Sequence, residues 1–164
     1  MSPWRIYVHL WARPWGGAVE IERAHVARGF PGIGFHAIVG SPCPTEAAHL
    51  AGRPSRLYDG RVEVGRAADA PEVENPPARY GFDGKSLAFA IIGISWHDIS
   101  RRQIQVAAQL CYQWKWDYHI RLDNVLPSEE IERGEHVFDM DVFRTLVQHW
   151  ERGSRIMRAF QTSA

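Results

Sequence analysis

Few of the residues able to do chemistry sit where a reacting group would be held. His9 interrupts the apolar run Ile6 to Leu10. A histidine on such a strand is either a hydrogen-bonded structural residue or a ligand held at the strand end, and the sequence leaves both readings open. His25 falls on a helical pattern and His36 on an extended one; both read as structural, with His36 on the opposite sheet face from Phe35 because strand side chains alternate. Cys43 and His49 are a nucleophile and a base by type, but no spacing orients one towards the other. Trp11 and Trp15 follow the His9 run, where their rings either wall a groove and stack on a sugar or base, or cover the edge of the core. Arg53, Arg56, Arg61 and Arg66 have the planar fork that binds carboxylate or phosphate, although such a run is more often a solvated face. Arg152, Arg155 and Arg158 share one face near a helix C-terminus, where the dipole alone favours them. There is no glycine-rich phosphate loop after a strand, no Cys-x-x-Cys pair and no nucleophile elbow.

The elements that must position these residues alternate between strand and helix. Ile6 to Leu10 reads as a strand ended by Pro14, Gly16 and Gly17, and Ala18 to Arg28 as a helix stopped by Gly29. Ile33 to Val39 is a second strand. The segment 40–56, rich in Pro, Ala and Gly, reads as an insertion with a short helix capped by Thr45. Asp59-Gly60 is a hairpin signal leading into a third strand at Arg61 to Val64. Ala67 to Tyr80 reads as a loop, and Ser86 to Ile94 as a central strand buried on both faces. Ser100 and Gln103 form a capping box for a helix with the stripe Ile104, Ala107, Ala108, Cys111 and Trp114. A last strand is predicted at Leu122 to Val125, followed by a helix capped by Asp139 with Phe143, Leu146, Val147 and Trp150 on one face. The pattern is α/β, with a central mixed sheet flanked by helices.

Composition bounds the rest. A chain of 164 residues suits one domain, here read as 1–164. Nineteen basic residues cancel nineteen acidic ones, which argues against a nucleic-acid partner through any long-range field. Among the basic residues only Lys85 and Lys115 are lysine, a bias that reads as a high-GC genome rather than a binding site. No stretch reaches the roughly 18 to 20 apolar residues of a membrane span, and Met1 to Arg5 lacks the pattern of a secretory signal, so a cytoplasmic product without a membrane partner is expected. In that compartment Cys43 and Cys111 are expected to stay unpaired.

An ordered set of short motifs resembles a known family. It comprises His9 at the end of the first strand, Arg28-Gly29-Phe30 followed by Ile33-Gly34-Phe35-His36, Asp59-Gly60 then Gly65-Arg66, Ser86-Leu87 running to Ile92-Gly93, and Gln103 early in the next helix. Together, over roughly residues 6 to 150, these resemble the N-acetylmuramoyl-L-alanine amidases of the bacteriophage-lysozyme type and the peptidoglycan recognition proteins. The resemblance implies a mixed sheet with a groove that accepts a muropeptide, and a catalytic zinc held by three protein ligands with water in the fourth position. His9 matches the first ligand. The second, a His just after the last strand, falls on Val125-Leu126-Pro127-Ser128, and the third, a Cys or Asp, on Arg133-Gly134-Glu135-His136. The tyrosine that helps activate water corresponds to Phe35, and the family's loop histidine falls near Ala78.

A one-residue shift, with Glu129 or Glu130 as second ligand and His136 or Glu135 as third, would rebuild a donor set with His9. The expectation is an amidase-like protein without a working zinc centre or other cofactor. It would bind a muropeptide or another small polar ligand, without hydrolysis, in a groove lined by His9, Phe35, Arg66, Arg133 and His136. Two alternatives accompany it: a protein-interaction or regulatory module of phage or mobile-element origin that uses the scaffold surface and the segment 40–56, and a zinc amidase whose ligands are rearranged to His9, Glu129 and His136.

Overall fold

The computed structural model describes residues 2–68 and 83–162, with the backbone alone for 154–162. The expected loop from Ala67 to Tyr80 therefore lies largely outside the described residues, as do Ala78 and the side chains of Arg155 and Arg158. The elements in chain order are β1 (Arg5–Trp11), α1 (Ala18–Ala27), β2 (Ala37–Val39), α2 (Glu46–Leu50), β3 (Val62–Val64), β4 (Ser86–Ile92), α3 (Arg101–Asp117), β5 (Val125–Pro127), α4 (Glu129–Glu132) and α5 (Met140–Thr162). The five strands form one mixed sheet in the order β3-β2-β4-β1-β5. All its pairings are parallel except that of β2 with β3.

The centre of the sheet follows from the two longest apolar runs. β1 and β4 pair from Arg5 opposite Ser86 to Trp11 opposite Ile92. Every residue of β4 is buried, as a strand covered on both faces must be. Alternation divides the core. Ile6, Val8 and Leu10 face the same side as Leu87, Phe89 and Ile91, under α3 and α5. Tyr7, Ala88, Ala90 and Ile92 face the other side, packed with Ile21 of α1 and Phe35.

The helices begin where the sequence supplies caps. Ser100 accepts the Gln103 N–H at 3.0 Å while the Gln103 side-chain oxygen accepts the Ser100 N–H, completing the box. The Gln103 amide then donates to the Ile92 carbonyl at 2.7 Å, which ties the start of α3 to the end of β4. Asp139 accepts the Val142 N–H and starts α5, whose Phe143 packs on Phe89 and Phe138. α1 is held from two directions, because the Glu20 carboxylate accepts the Gly17 N–H and Glu63 of β3 accepts the Ala18 N–H. Gly29, at φ +88, ends it in the left-handed region that a β-carbon disfavours. Thr45 caps α2, which buries none of its residues.

Several boundaries differ from the sequence expectation. β2 starts at Ala37 rather than Ile33, because the Gly34 N–H is taken by the His25 ring instead of a neighbouring strand. Asp59-Gly60 does not close a two-residue hairpin: β2 and β3 pair across the whole segment holding α2, and Gly60 and Arg61 bond back to Gly40. Residues Leu122–Asn124 form a 3-10 turn, so the last strand is β5. Trp150, expected on the buried stripe of α5, is exposed.

Candidate active site

A pocket of about 420 Å³ opens at the C-terminal end of β1. This is the edge at which α/β sheets bind ligands, since loops and helix starts converge there. β1 and the loop after it contribute His9, Trp11 and Arg13; α1 contributes Ala24 and, at its end, Arg28. Phe35 enters from the segment before β2, Glu130 from α4, and Glu135 and His136 from the loop before α5.

His9 is on β1 and Phe35 precedes β2, and β4 runs between those two strands. Their rings nevertheless meet at 4.7 Å between centroids. The intervening β4 positions on that face are Ala88 and Ala90, and Ala90 lies directly opposite His9. Two methyl side chains leave room for the larger rings to close over them.

His25 lies under Phe35, with ring centroids 5.1 Å apart, and meets Phe30 and Trp11 edge-on. Its Nδ1 accepts the Gly34 N–H at 3.0 Å, so that nitrogen carries the lone pair and the ring is neutral. Burial lowers its pKa to about 4, and the charges of Arg28 and His9 act in the same direction. His36 is on the other side of the sheet against Trp114, opposite Phe35 as alternation requires. Its Nδ1 accepts the Ala88 N–H, and burial, helped by Arg66 and opposed by Asp83, lowers its pKa to about 4 as well. Both residues are structural.

The pocket mouth is rich in polar groups. Arg13 stacks on Trp15 at 5.1 Å. Neither Arg13 nor Arg28 has a carboxylate partner among the described residues. Trp11 Nε1 and His136 Nδ1 are buried and have no hydrogen-bond partner among them. A buried donor or acceptor left unpaired costs about 1 to 3 kcal/mol.

Of the five residues expected to line a groove, the structure brings His9, Phe35 and His136 to this pocket. Arg66 and Arg133 are not among its walls. Arg66 lies beyond β3, where its N–H donates to the Phe35 carbonyl at 2.8 Å. Arg133 pairs with Glu129 one helical turn earlier, on the exposed side of α4. That pairing also directs Glu129 away from the pocket, and Glu130 is the acid that lines it. The pattern of a Glu four residues before an Arg is a sequence signal for a solvent-side pair and distinguishes the two acids. Arg13 and Arg28 were missed; the only signal for Arg28 is its place between the last helical turn and the stop at Gly29.

The zinc implied by the resemblance does not fit this donor set. Leu126 and Pro127 offer no donor atom in their side chains, and Glu129 points outward. Although His9, Glu130, Glu135 and His136 line one pocket, no three His, Cys, Asp or Glu side chains among the described residues come together to hold a metal ion.

The chain is similar to a solved structure, N-acetylmuramoyl-L-alanine amidase LysC from Clostridium intestinale URNW, with a TM-score of 0.52 and 19% identity over 73% of this chain and 67% of that one. The likeness is one of fold. It supports an amidase-like α/β scaffold, a mixed five-stranded sheet flanked by helices. No protein-family model matches the sequence, and no curated protein does.

Proposed function

We propose that this chain is an amidase-fold protein that binds a muropeptide, or a small polar ligand of that kind, in the His9 and Phe35 pocket without hydrolysing it. The observation that carries the reading is the composition of the pocket. It stands at the ligand edge of an amidase-like sheet, is lined by two guanidinium groups that have no carboxylate partner among the described residues, and lacks a three-donor metal set among those residues. Phe35 has no hydroxyl with which to activate water. The resemblance to wall amidases supplies the ligand class.

Elemental analysis of the dialysed protein, chromatography of muropeptides incubated with protein and added zinc, and calorimetry with the same fragments test the reading. Well under one zinc per chain, no released peptide and measurable heat of binding are expected. Stoichiometric zinc lost on both His9→Ala and His136→Ala, with peptide release, would replace it by a zinc amidase with rearranged ligands.

A second reading, a protein-interaction module of phage or mobile-element origin, is favoured by the segment between β2 and β3. Leu50 is 78% exposed there and Leu57 86%. Absence of heat with every wall fragment would favour it.

A further inference from the structure

The pocket mouth carries a more specific assignment, which rests on the reading of this pocket as a ligand site. We infer that its ligand ends in a carboxylate, and that Arg28 and Arg13 are the residues that select it. Both guanidinium groups border one cavity of about 420 Å³ and neither is neutralised by an acid among the described residues. Arg28 lines the pocket from the end of α1 and is exposed, so its guanidinium stands at the mouth, open to an incoming ligand. Arg13 is held on the face of Trp15, an arrangement that keeps the in-plane N–H groups of the fork available.

A planar fork binds a carboxylate through two parallel charge-assisted hydrogen bonds, and a neutral amide cannot supply the second acceptor or the charge. Glu130 and Glu135 line the same pocket and disfavour an anion beside them, which leaves the two arginines as the groups there that favour a carboxylate. The ligand class is therefore a short peptide with a free carboxylate end, attached or not to a sugar.

The test compares three probes by calorimetry at low salt: N-acetylmuramoyl-L-alanyl-D-isoglutamine, the same molecule with its free carboxylate converted to a carboxamide, and L-alanyl-D-isoglutamine without the sugar. Wild-type protein is expected to bind the free acid at least about tenfold more tightly than the carboxamide. Binding of the sugar-free peptide with the same preference would assign recognition to the peptide end. Arg28→Gln, a change at an exposed position, and separately Arg13→Gln, should bring acid and carboxamide to within about twofold of each other while leaving the melting curve in place. Equal affinity of wild type for acid and carboxamide would overturn the assignment and leave the pocket reading standing. A preference that survives in both variants would overturn the role of these two arginines. Failure of all three probes to bind would remove the pocket reading together with the inference.

Discussion

Acid should destabilise this protein well above the pH at which its carboxylates titrate, and two buried histidines are the reason. His25 and His36 each have a folded pKa of about 4 against an unfolded value near 6.5. Above pH 6.5 both are neutral folded or unfolded, and they contribute no pH dependence. As the pH falls from 6.5 towards 4, the unfolded chain takes up protons that the folded chain refuses, so stability is lost through that window and levels off below it. At about 1.4 kcal/mol per pH unit, each residue removes about 2 to 3 kcal/mol by pH 4.5. They stand on opposite faces of the sheet, so the two losses should add to about 5 kcal/mol, comparable with the whole stability of a small domain. Asp83 acts lower on the scale. Burial pushes its pKa up, but hydrogen bonds from Arg5, the Lys85 N–H and Ser86, with the Arg5 charge, outweigh this and hold it below the usual carboxylate range. The stability it provides is present above that range and is lost only as the pH falls beneath it. Urea unfolding followed by circular dichroism at intervals from pH 8 to 4.5 measures the effect. His25→Asn and His36→Asn, which keep an acceptor for the Gly34 and Ala88 N–H groups, should each remove about half of the slope. A stability flat across this window, or a slope unchanged in both variants, would refute the argument.

Other perturbations follow from named contacts. A β-carbon at Gly65 would overlap the Phe35 carbonyl oxygen, so Gly65→Ala should cost about 2 to 4 kcal/mol in chemical denaturation and weaken ligand binding by displacing Phe35. Phe143→Ala empties a fully buried site between Phe89 and Phe138 and should cost about 3 to 5 kcal/mol by the same measurement. Ser100→Ala removes the cap of α3 and the hydroxyl that bonds to Asp59, for a loss of about 1 to 2 kcal/mol in the unfolding midpoint experiment. His9→Ala, at a position only 3% exposed, should lower the melting temperature measurably yet less than Phe143→Ala, and should abolish binding of the muramyl peptide in calorimetry.

The parts of the fold legible in the sequence are those in which one signal dominates. β4 announces itself because seven successive buried residues leave no polar face, and α3 because its cap and its stripe agree. Where side chains compete with the backbone, the pattern misleads. Residues 33–36 look extended, but the His25 ring takes the Gly34 N–H, and Phe35 becomes a pocket wall rather than a strand residue. The same holds for the site. His9 and His136 could be nominated from spacing and resemblance, whereas Arg28 and Arg13 stand at a helix end and in a loop, where no periodicity marks the face a side chain takes. Exposed arginines elsewhere in the chain look no different in sequence.

The pairing of β1 with β4 also governs when the protein can fold. Arg5 and Ser86, at the start of that pairing, are 81 residues apart, and β5 joins the other side of β1 later still. Neither partner of β1 exists until more than half of the chain has been made, and parallel, non-local pairing is slow even then, in the range of milliseconds to seconds. During synthesis the apolar segment of β1 is therefore made well before either strand that covers its edges, and exposed apolar surface of this kind is what makes incomplete chains prone to aggregate.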